Sequence, residues 1–207
     1  MNLFQSERLG AGALLQRGFA SPIAAELLAD IDTIAQAAPF RHMVTPGGFT
    51  MSVALTNCGD CGWSSDRQGY RYRDDDPLTG QRWPAMPALF RELASNAAQS
   101  AGYAGFEPDA CLINRYAPGA RMSLHQDRDE ADFTQPIVSV SLGMSAVFQF
   151  GGLSRNSPCA KVLLEHGDVV IWGGADRLRY HGVLALKGPA HPATGEQRIN
   201  LTFRKAQ

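Results

Sequence analysis

The sequence has no run of the roughly 20 apolar residues that a membrane-spanning helix needs. Its start, Met1-Asn2-Leu3-Phe4-Gln5-Ser6-Glu7-Arg8, lacks the apolar centre of a secretory signal. The expectation is a cytoplasmic protein with no membrane partner. Cysteine is scarce: Cys58, Cys61, Cys111 and Cys159 are too few and too scattered for a disulfide framework in 207 residues, so reduced thiols are the default. Cys58-Gly-Asp-Cys61 has zinc-ligand spacing, but a structural site wants four ligands and no second pair follows. Excess charge is missing too. A net charge of −1 excludes a globally basic surface, so any nucleic-acid contact must come from a local patch. No internal repeat or low-complexity segment interrupts the chain, and 44% apolar residues suffice for the core of one domain.

What the chain does have is turns. Twenty-one Gly and 12 Pro favour a β-rich architecture over a helical bundle. A short strand over 13–19 leads to Ser21 as N-cap and Pro22 at the first helical position. Ile23, Leu27, Leu28, Ile31 and Ile34 keep helical spacing to about residue 36. Residues 49–56 alternate as a strand, and a second helix spans about 87–101, with Leu89, Phe90, Leu93 and Ala97 on one side and Gly102 ending it. Strands follow at 110–116, 122–127, 137–142, 146–150, 161–165, 169–172, 184–187 and 198–203. Eight short strands with Gly and Pro punctuation predict a β-dominated α+β fold, a double-sheet jelly roll with the N-terminal helices packed on one sheet.

The stretch that organises this pattern is Ser123-Leu-His125-Gln-Asp127-Arg-Asp129. His and Asp two residues apart on an extended strand point the same way and can grip one metal ion. His181 is the best third ligand, because two imidazoles and a carboxylate on one side of Fe(II) leave positions open for a cosubstrate and O2. A lone His-x-Asp is equally compatible with a surface turn. Residues 197–204 weigh against that. Ile199, Leu201 and Phe203 form one face of a strand, and Arg198, Asn200, Thr202 and Arg204 the other. Two arginines on one face are costly to bury unless an anion neutralises them, and the planar guanidinium suits a carboxylate. A small dicarboxylate such as 2-oxoglutarate would use both. On the strand at 110–116, Asn114 and Tyr116 share a face and could add hydrogen bonds.

Residues 57–84 carry Trp63, Tyr70, Tyr72 and Trp83 without a sustained period, as a long loop or hairpin. The order Arg67-Gln-Gly-Tyr70-Arg-Tyr72-Arg73 interleaves bases and rings as a nucleic-acid surface does. An aromatic cluster pinning the loop down, with Asp74, Asp75 and Asp76 offsetting the basic charge, explains it as well. His166 sits beside Gly167-Asp168 in a turn, His42 and His191 have no acidic or His partner at ligand spacing, and all three read as surface histidines.

The stretches Asn114-Arg-Tyr116-Ala-Pro-Gly, Leu124-His125-Gln-Asp127-Arg-Asp129-Glu130, Phe148-Gln-Phe-Gly-Gly, His166-Gly-Asp-Val-Val-Ile-Trp172-Gly-Gly, Tyr180-His181-Gly and Arg198-Ile-Asn200-Leu-Thr-Phe-Arg204 closely resemble the AlkB family. Its members are Fe(II)- and 2-oxoglutarate-dependent oxygenases that repair alkylated bases, and the likeness runs from about Phe40 to Arg204. The resemblance implies that His125, Asp127 and His181 hold iron, and that Asn114, Tyr116, Arg198, Asn200 and Arg204 hold 2-oxoglutarate. It implies that Trp63, Tyr70, Tyr72, Asp129 and Arg155 line a nucleotide site, with Trp63 stacking on a flipped base and Asp129 facing its polar edge. Implied too are a single domain, with a recognition lid over about 40–85 and a catalytic core over about 108–204, acting as a monomer on alkylated DNA, single strands above all, or on RNA. The implied reaction uses O2 and 2-oxoglutarate to hydroxylate an N-methyl group, which then leaves as formaldehyde. Phe49 stands where the family carries a tyrosine, so one hydroxyl contact is missing, and Cys58 and Cys61 have no role in the family pattern. Two other classes stay open. An oxygenase for protein side chains or small molecules would not need Trp63, Tyr70 and Asp129 together, and a non-catalytic cupin-like module would not need both arginines.

Overall fold

A computed structural model describes residues 5–207; the part of the leader argument that concerns Met1–Phe4 lies outside the described residues. Fourteen strands form among them: β1 Ser6–Arg8, β2 Ala13–Gln16, β3 Arg41–Val44, β4 Thr50–Gly59, β5 Gly62–Asp66, β6 Gly69–Arg73, β7 Ala110–Tyr116, β8 Met122–His125, β9 Ile137–Gly143, β10 Ala146–Phe150, β11 Ala160–Leu164, β12 Val169–Trp172, β13 His181–Val183 and β14 Arg198–Arg204. The helices are α1, Ala24–Ala37, and α2, Ala88–Ser100. Eight strands make a large sheet in the order β1-β2-β12-β9-β14-β7-β4-β3, four make a smaller one, β11-β10-β13-β8, and β5 pairs with β6 as a separate ribbon.

The alternation of β14 decides how these layers stack. Ile199, Leu201 and Phe203 pack with Leu27, Ile31, Ile34, Phe90 and Leu93 of the helices. Arg198, Asn200, Thr202 and Arg204 face the opposite way, into a cavity closed by the small sheet. The neighbouring β9 repeats the rule: Val138, Val140 and Leu142 join the helical core, while Ser139 and Ser141 meet the polar face of β14. A second core of Phe148, Phe150, Trp172, Leu164 and Val183 fills the rest of the space between the sheets.

Several boundaries differ from the sequence expectation for local reasons. Ser21–Ile23 is a 3₁₀ turn, so Ser21 does not cap α1; Ile23 holds that position without a side-chain bond. The expected strand at 184–187 lies instead at His181–Val183, set by pairing to β10. Of the two expectations for residues 57–84, the hairpin is what forms: β4 continues to Gly59, and the antiparallel β5–β6 ribbon follows with Trp63 opposite Tyr72. Strands β1 and β3 carry too few apolar residues to stand out by pattern, and each is added at a sheet edge by its neighbour. No helix among the described residues is long and apolar enough to cross a membrane.

Phe203 is fully buried and meets Phe90 of α2 edge to face at 5.8 Å. Phe203→Ala should therefore destabilise the protein by about 3–5 kcal/mol, read as a lower urea midpoint at unchanged slope. A loss under about 1 kcal/mol would mean that the helices do not depend on this strand face.

Candidate metal and anion site

The small sheet brings together ligands from two distant parts of the sequence. His125 ends β8 and His181 begins β13, and they are register partners across the small sheet. Such proximity needs Gly182: a Cβ there would stand 2.7 Å from the Met122 carbonyl oxygen, so only glycine lets β13 lie this close to β8. Asp127 falls just past the end of β8 rather than on it, yet its Oδ1 is 3.5 Å from His125 Nε2 and 3.7 Å from His181 Nε2. One ligand atom from each residue lies within 4.8 Å of the others, which fits a single metal ion.

The histidine tautomers are fixed by the backbone. Nδ1 of His125 lies 2.8 Å from the Ser123 carbonyl and Nδ1 of His181 lies 3.0 Å from that of Arg179. A carbonyl only accepts, so each Nδ1 carries the proton and each Nε2 turns a lone pair toward Asp127. Burial and then the neighbouring His125 push His181 down to about 4 from an ordinary 6.5, so it stays neutral and ready to ligate. Burial would raise Asp127, but Arg204, His181 and His125 outweigh it and hold the carboxyl well below the usual range. Phe148 and Trp172 wall in the His181 ring at 6.1 and 5.0 Å between centroids.

On the floor of the same cavity the two arginines differ. Arg204 is neutralised: its Nη2 donates to Asp127 Oδ2 at 2.6 Å and its Nε lies 3.3 Å from Glu130. Arg198 is only 1% exposed and forms no ion pair among the described residues. Its Nη2 donates to Ser141 Oγ at 2.8 Å and Tyr116 lies 5.0 Å beneath it, while Nε and Nη1 have no hydrogen-bond partner among the described residues. Burial lowers its pKa and Tyr116 opposes the shift. The buried Asn114 Oδ1 is also unpartnered, although its Nδ2 reaches Asn200 Oδ1 at 3.3 Å. Asn200 itself is held by Ser139 and Val140. The unpaired Nε and Nη1 donors of Arg198 are what an anionic ligand would satisfy, whereas Asn114 Oδ1 can only accept. A metal ion beside a carboxylate-bearing cosubstrate therefore fits the residues present.

The β5–β6 ribbon is bonded to the loop that carries Asp127. Trp63 Nε1 donates to Asp129 Oδ2 at 2.8 Å, and Tyr70 stacks on the indole at 5.4 Å and 17°. Arg155 donates to the Leu124 carbonyl at 2.7 Å and lies 5.0 Å over Tyr180. Tyr72 turns inward instead, donating to Glu130 Oε1 at 2.6 Å. Ser139, Ser141, Glu130 and Arg177 were not among the residues that sequence reasoning selected. The serines did leave a signal, since two polar residues alternate within the apolar run Ile137-Val-Ser-Val-Ser-Leu142. Arg177 left none, and nothing in its spacing marks a buried arginine. Outside the site, His166 and His191 stack at 4.3 Å, and Cys58 and Cys61 are both fully buried. The His125–Asp127–His181 triad is the one metal-capable cluster among the described residues, and neither cysteine joins it.

Comparison with known proteins agrees with this geometry. The sequence model described as the 2OG-Fe(II) oxygenase superfamily matches residues 12–204. The alpha-ketoglutarate-dependent dioxygenase AlkB of Escherichia coli is 60% identical over 200 residues, spanning 97% of this chain and 93% of that protein. The AlkB homolog of Caulobacter vibrioides is 47% identical over 84% of this chain and 77% of its own length. A solved structure described as OsALKBH1 superposes with a TM-score of 0.84 at 27% identity, covering 97% of this chain and all of that one.

Two outcomes follow from the charges. The folded pKa of His181 lies below the unfolded value, so as pH falls the unfolded chain takes up this proton first. The metal-free protein should lose stability between about pH 6.5 and about 4, and His181→Asn should flatten that part of a urea-midpoint series. Arg198→Met removes an unpaired buried cation and should leave stability unchanged or raise it by about 1 kcal/mol. With Mn(II) present and 2-oxoglutarate at a hundred times its dissociation constant, the wild type should gain about 2.7 kcal/mol and this variant nothing.

Proposed function

The chain belongs to the 2OG-Fe(II) oxygenase superfamily, and on that premise we propose that it is an oxidative demethylase of N-alkylated nucleobases of the 1-methyladenine and 3-methylcytosine type. It is an Fe(II)- and 2-oxoglutarate-dependent dioxygenase with the His125–Asp127–His181 triad as its metal-binding group. The observation that carries the substrate reading is the indole of Trp63 hydrogen-bonded to Asp129 on the loop that carries Asp127, with Tyr70 covering one indole face. A flat aromatic face beside a carboxylate suits a base taken out of its stack. The Trp63 bond uses Oδ2, and a carboxylate keeps further lone pairs for the amino group of a base. A methylated, cationic base gains from that carboxylate, whereas an undamaged neutral base gains less.

Within this reading Arg198 binds a carboxylate of 2-oxoglutarate, and Asn114, Tyr116, Asn200 and Arg204 complete the cradle. Arg204 also holds Asp127 Oδ2, leaving Oδ1 for the metal. Ser123 and Arg179 keep both imidazoles aimed, and Phe148 and Trp172 keep water from the His181 side. When bound, Fe(II) and 2-oxoglutarate activate O2, with release of succinate and CO2, to hydroxylate the N-methyl group, and the resulting hemiaminal sheds formaldehyde. Trp63, Tyr70, Asp129 and Arg155 position the base, while Tyr72 supports them from behind rather than touching it.

The proposed arrangement is one domain, with residues of about 40–85 forming the lid and about 108–204 the catalytic core. Single-stranded DNA is the preferred substrate, because its base has no partner strand to leave, and RNA with the same lesion is the alternative. We take the enzyme as a cytoplasmic monomer, in keeping with its four free cysteines. The names of the relatives support a nucleic-acid dioxygenase: E. coli AlkB is named a dioxygenase, and a mouse ALKBH1 protein, 31% identical over 56% of this chain and 30% of its own length, is named a nucleic acid dioxygenase.

Mass spectrometry of a single-stranded oligonucleotide with one 1-methyladenine, incubated with protein, Fe(II), ascorbate and 2-oxoglutarate, tests the reading. The methyl group should disappear only in the complete mixture, and His181→Ala should abolish turnover. Asp129→Ala should lower demethylation more than uncoupled succinate formation, and normal repair by that variant would remove the carboxylate from base recognition. Succinate without loss of the methyl group from DNA or RNA would keep the oxygenase and assign it another substrate.

A further inference from the structure

Four consecutive residues, 127–130, hold one metal ligand and two attachments of the ribbon. Asp127 is in the triad, Asp129 accepts from Trp63 of β5, and Glu130 accepts from Tyr72 of β6. The two ribbon strands are thus tied to adjacent parts of the metal loop. Of the two ties only the one to Glu130 continues inward. Its Oε1 takes the Tyr72 hydroxyl at 2.6 Å and lies 3.3 Å from Arg204 Nε; its Oε2 accepts from Arg177 Nη2 at 3.0 Å. Both arginines then return to Asp127. Arg204 donates to its Oδ2 from Nη2 at 2.6 Å and from Nε at 3.0 Å, and Arg177 Nη1 donates to its backbone carbonyl at 2.7 Å. The Arg177 fork closes with Nε on the Gln135 carbonyl at 3.0 Å and Phe133 packed 5.4 Å away.

Glu130, Arg177, Arg204 and Asp127 are all buried, so each of these bonds acts where water cannot substitute for a lost partner. Asp127 can present Oδ1 to the two histidines only while Oδ2 and its carbonyl stay where the arginines hold them. The arginines are held in turn by the single carboxylate of Glu130. A solvated surface ion pair would impose no such constraint, since its partners move independently.

We propose that Glu130 is a positioning residue that couples the β5–β6 ribbon to the metal triad: Tyr72 docks the ribbon on it, and through Arg204 and Arg177 it sets the orientation of Asp127. This inference rests on reading the ribbon as the substrate lid. Coupling of this kind is reciprocal. A metal ion that fixes Asp127 tightens the Tyr72 contact and quiets the ribbon, and a ribbon closed on its substrate tightens the grip on the metal. The ribbon has further anchors that the metal does not reach, namely the paired bonds between Asn57 and the Trp63 backbone, Ser65 Oγ on the Val44 carbonyl and Trp83 Nε1 on the Arg73 carbonyl, so it stays folded when the Tyr72 contact opens.

The test uses Co(II) as the probe and needs no methylated base. Co(II) affinity of the metal-free protein is measured by titration, and hydrogen exchange of residues 62–73 is followed with and without Co(II). In the wild type Co(II) should slow exchange of the ribbon. Glu130→Gln keeps the shape and loses the charge that orders both arginines; it should weaken Co(II) binding about tenfold, as losses behind a metal ligand do, and abolish the ribbon's response. Tyr72→Phe cuts only the link to the ribbon. It should bind Co(II) within about threefold of the wild type, since every bond to Asp127 persists, while the ribbon no longer responds. A wild-type ribbon indifferent to Co(II), a Tyr72→Phe ribbon that still responds, or a folded Glu130→Gln protein with wild-type Co(II) affinity overturns the proposal. Should Glu130→Gln fail to fold, Tyr72→Phe decides alone. Demethylation by the wild-type enzyme is scored separately, so failure of the coupling and failure of the substrate reading give different results.

Discussion

A guanidinium buried without an acid beside it is the constraint on which this structure turns. Arg198 sits at the start of β14, the strand between β9 and β7 near the middle of the large sheet. A cation there is tolerable only if every neighbour that could desolvate it further is polar or absent. Ser141 supplies one hydrogen bond from β9, Tyr116 supplies its ring from β7, and the small sheet arches over the remaining space. Because successive residues on a strand alternate faces, placing Arg198, Asn200 and Arg204 inward sends Ile199, Leu201 and Phe203 outward to the helices. One strand thereby sets the helical core on one side and the reactive cavity on the other. The helices contribute no cavity residue, yet without them the apolar face of β14 would lie in water and the register that aims Arg198 would be lost.

What could be read in the sequence follows the same division. Strands with strict alternation or a bulky apolar run, such as Ala110–Tyr116, Ala146–Phe150 and Val169–Trp172, have the bounds their patterns predict. The triad was legible as residue types, but the pairing of His125 with His181 across the small sheet was not, because it depends on Gly182 admitting a close approach. The two arginines of β14 look equivalent by pattern. Their difference arises from Glu130 and Asp127, which arrive from a loop with no periodicity, so no alternation rule could separate a neutralised arginine from an unpaired one. Edge strands β1 and β3 were silent for a related reason: each is formed by hydrogen bonds to a neighbour and carries little apolar signal of its own. The ribbon resisted its pattern because its aromatic residues are spent on specific contacts, Trp63 on Asp129 and Tyr72 on Glu130, rather than on a continuous core.

The charges of the cavity explain why a dianion such as 2-oxoglutarate suits it better than a neutral cosubstrate. Asp127 and Glu130 are matched by Arg204 and Arg177, so these four cancel and Arg198 alone remains uncompensated. A divalent metal on the triad adds two positive charges at the other end of the same enclosed space. Interactions among charges in such surroundings are weakly screened, so metal and Arg198 together disfavour a second cation and favour an anion that can reach both. Two carboxylates separated by a short chain would meet this demand, one toward the metal and the other toward the unpartnered Nε and Nη1 of Arg198. Arg204 acts differently. Its charge is already matched, so what it adds is direction, holding one oxygen of Asp127 so that the other faces the histidines. An unpaired cation and a metal-ligand orienter are thus divided between two arginines of one strand face, and the division is made by where the acids of the 127–130 loop come to rest.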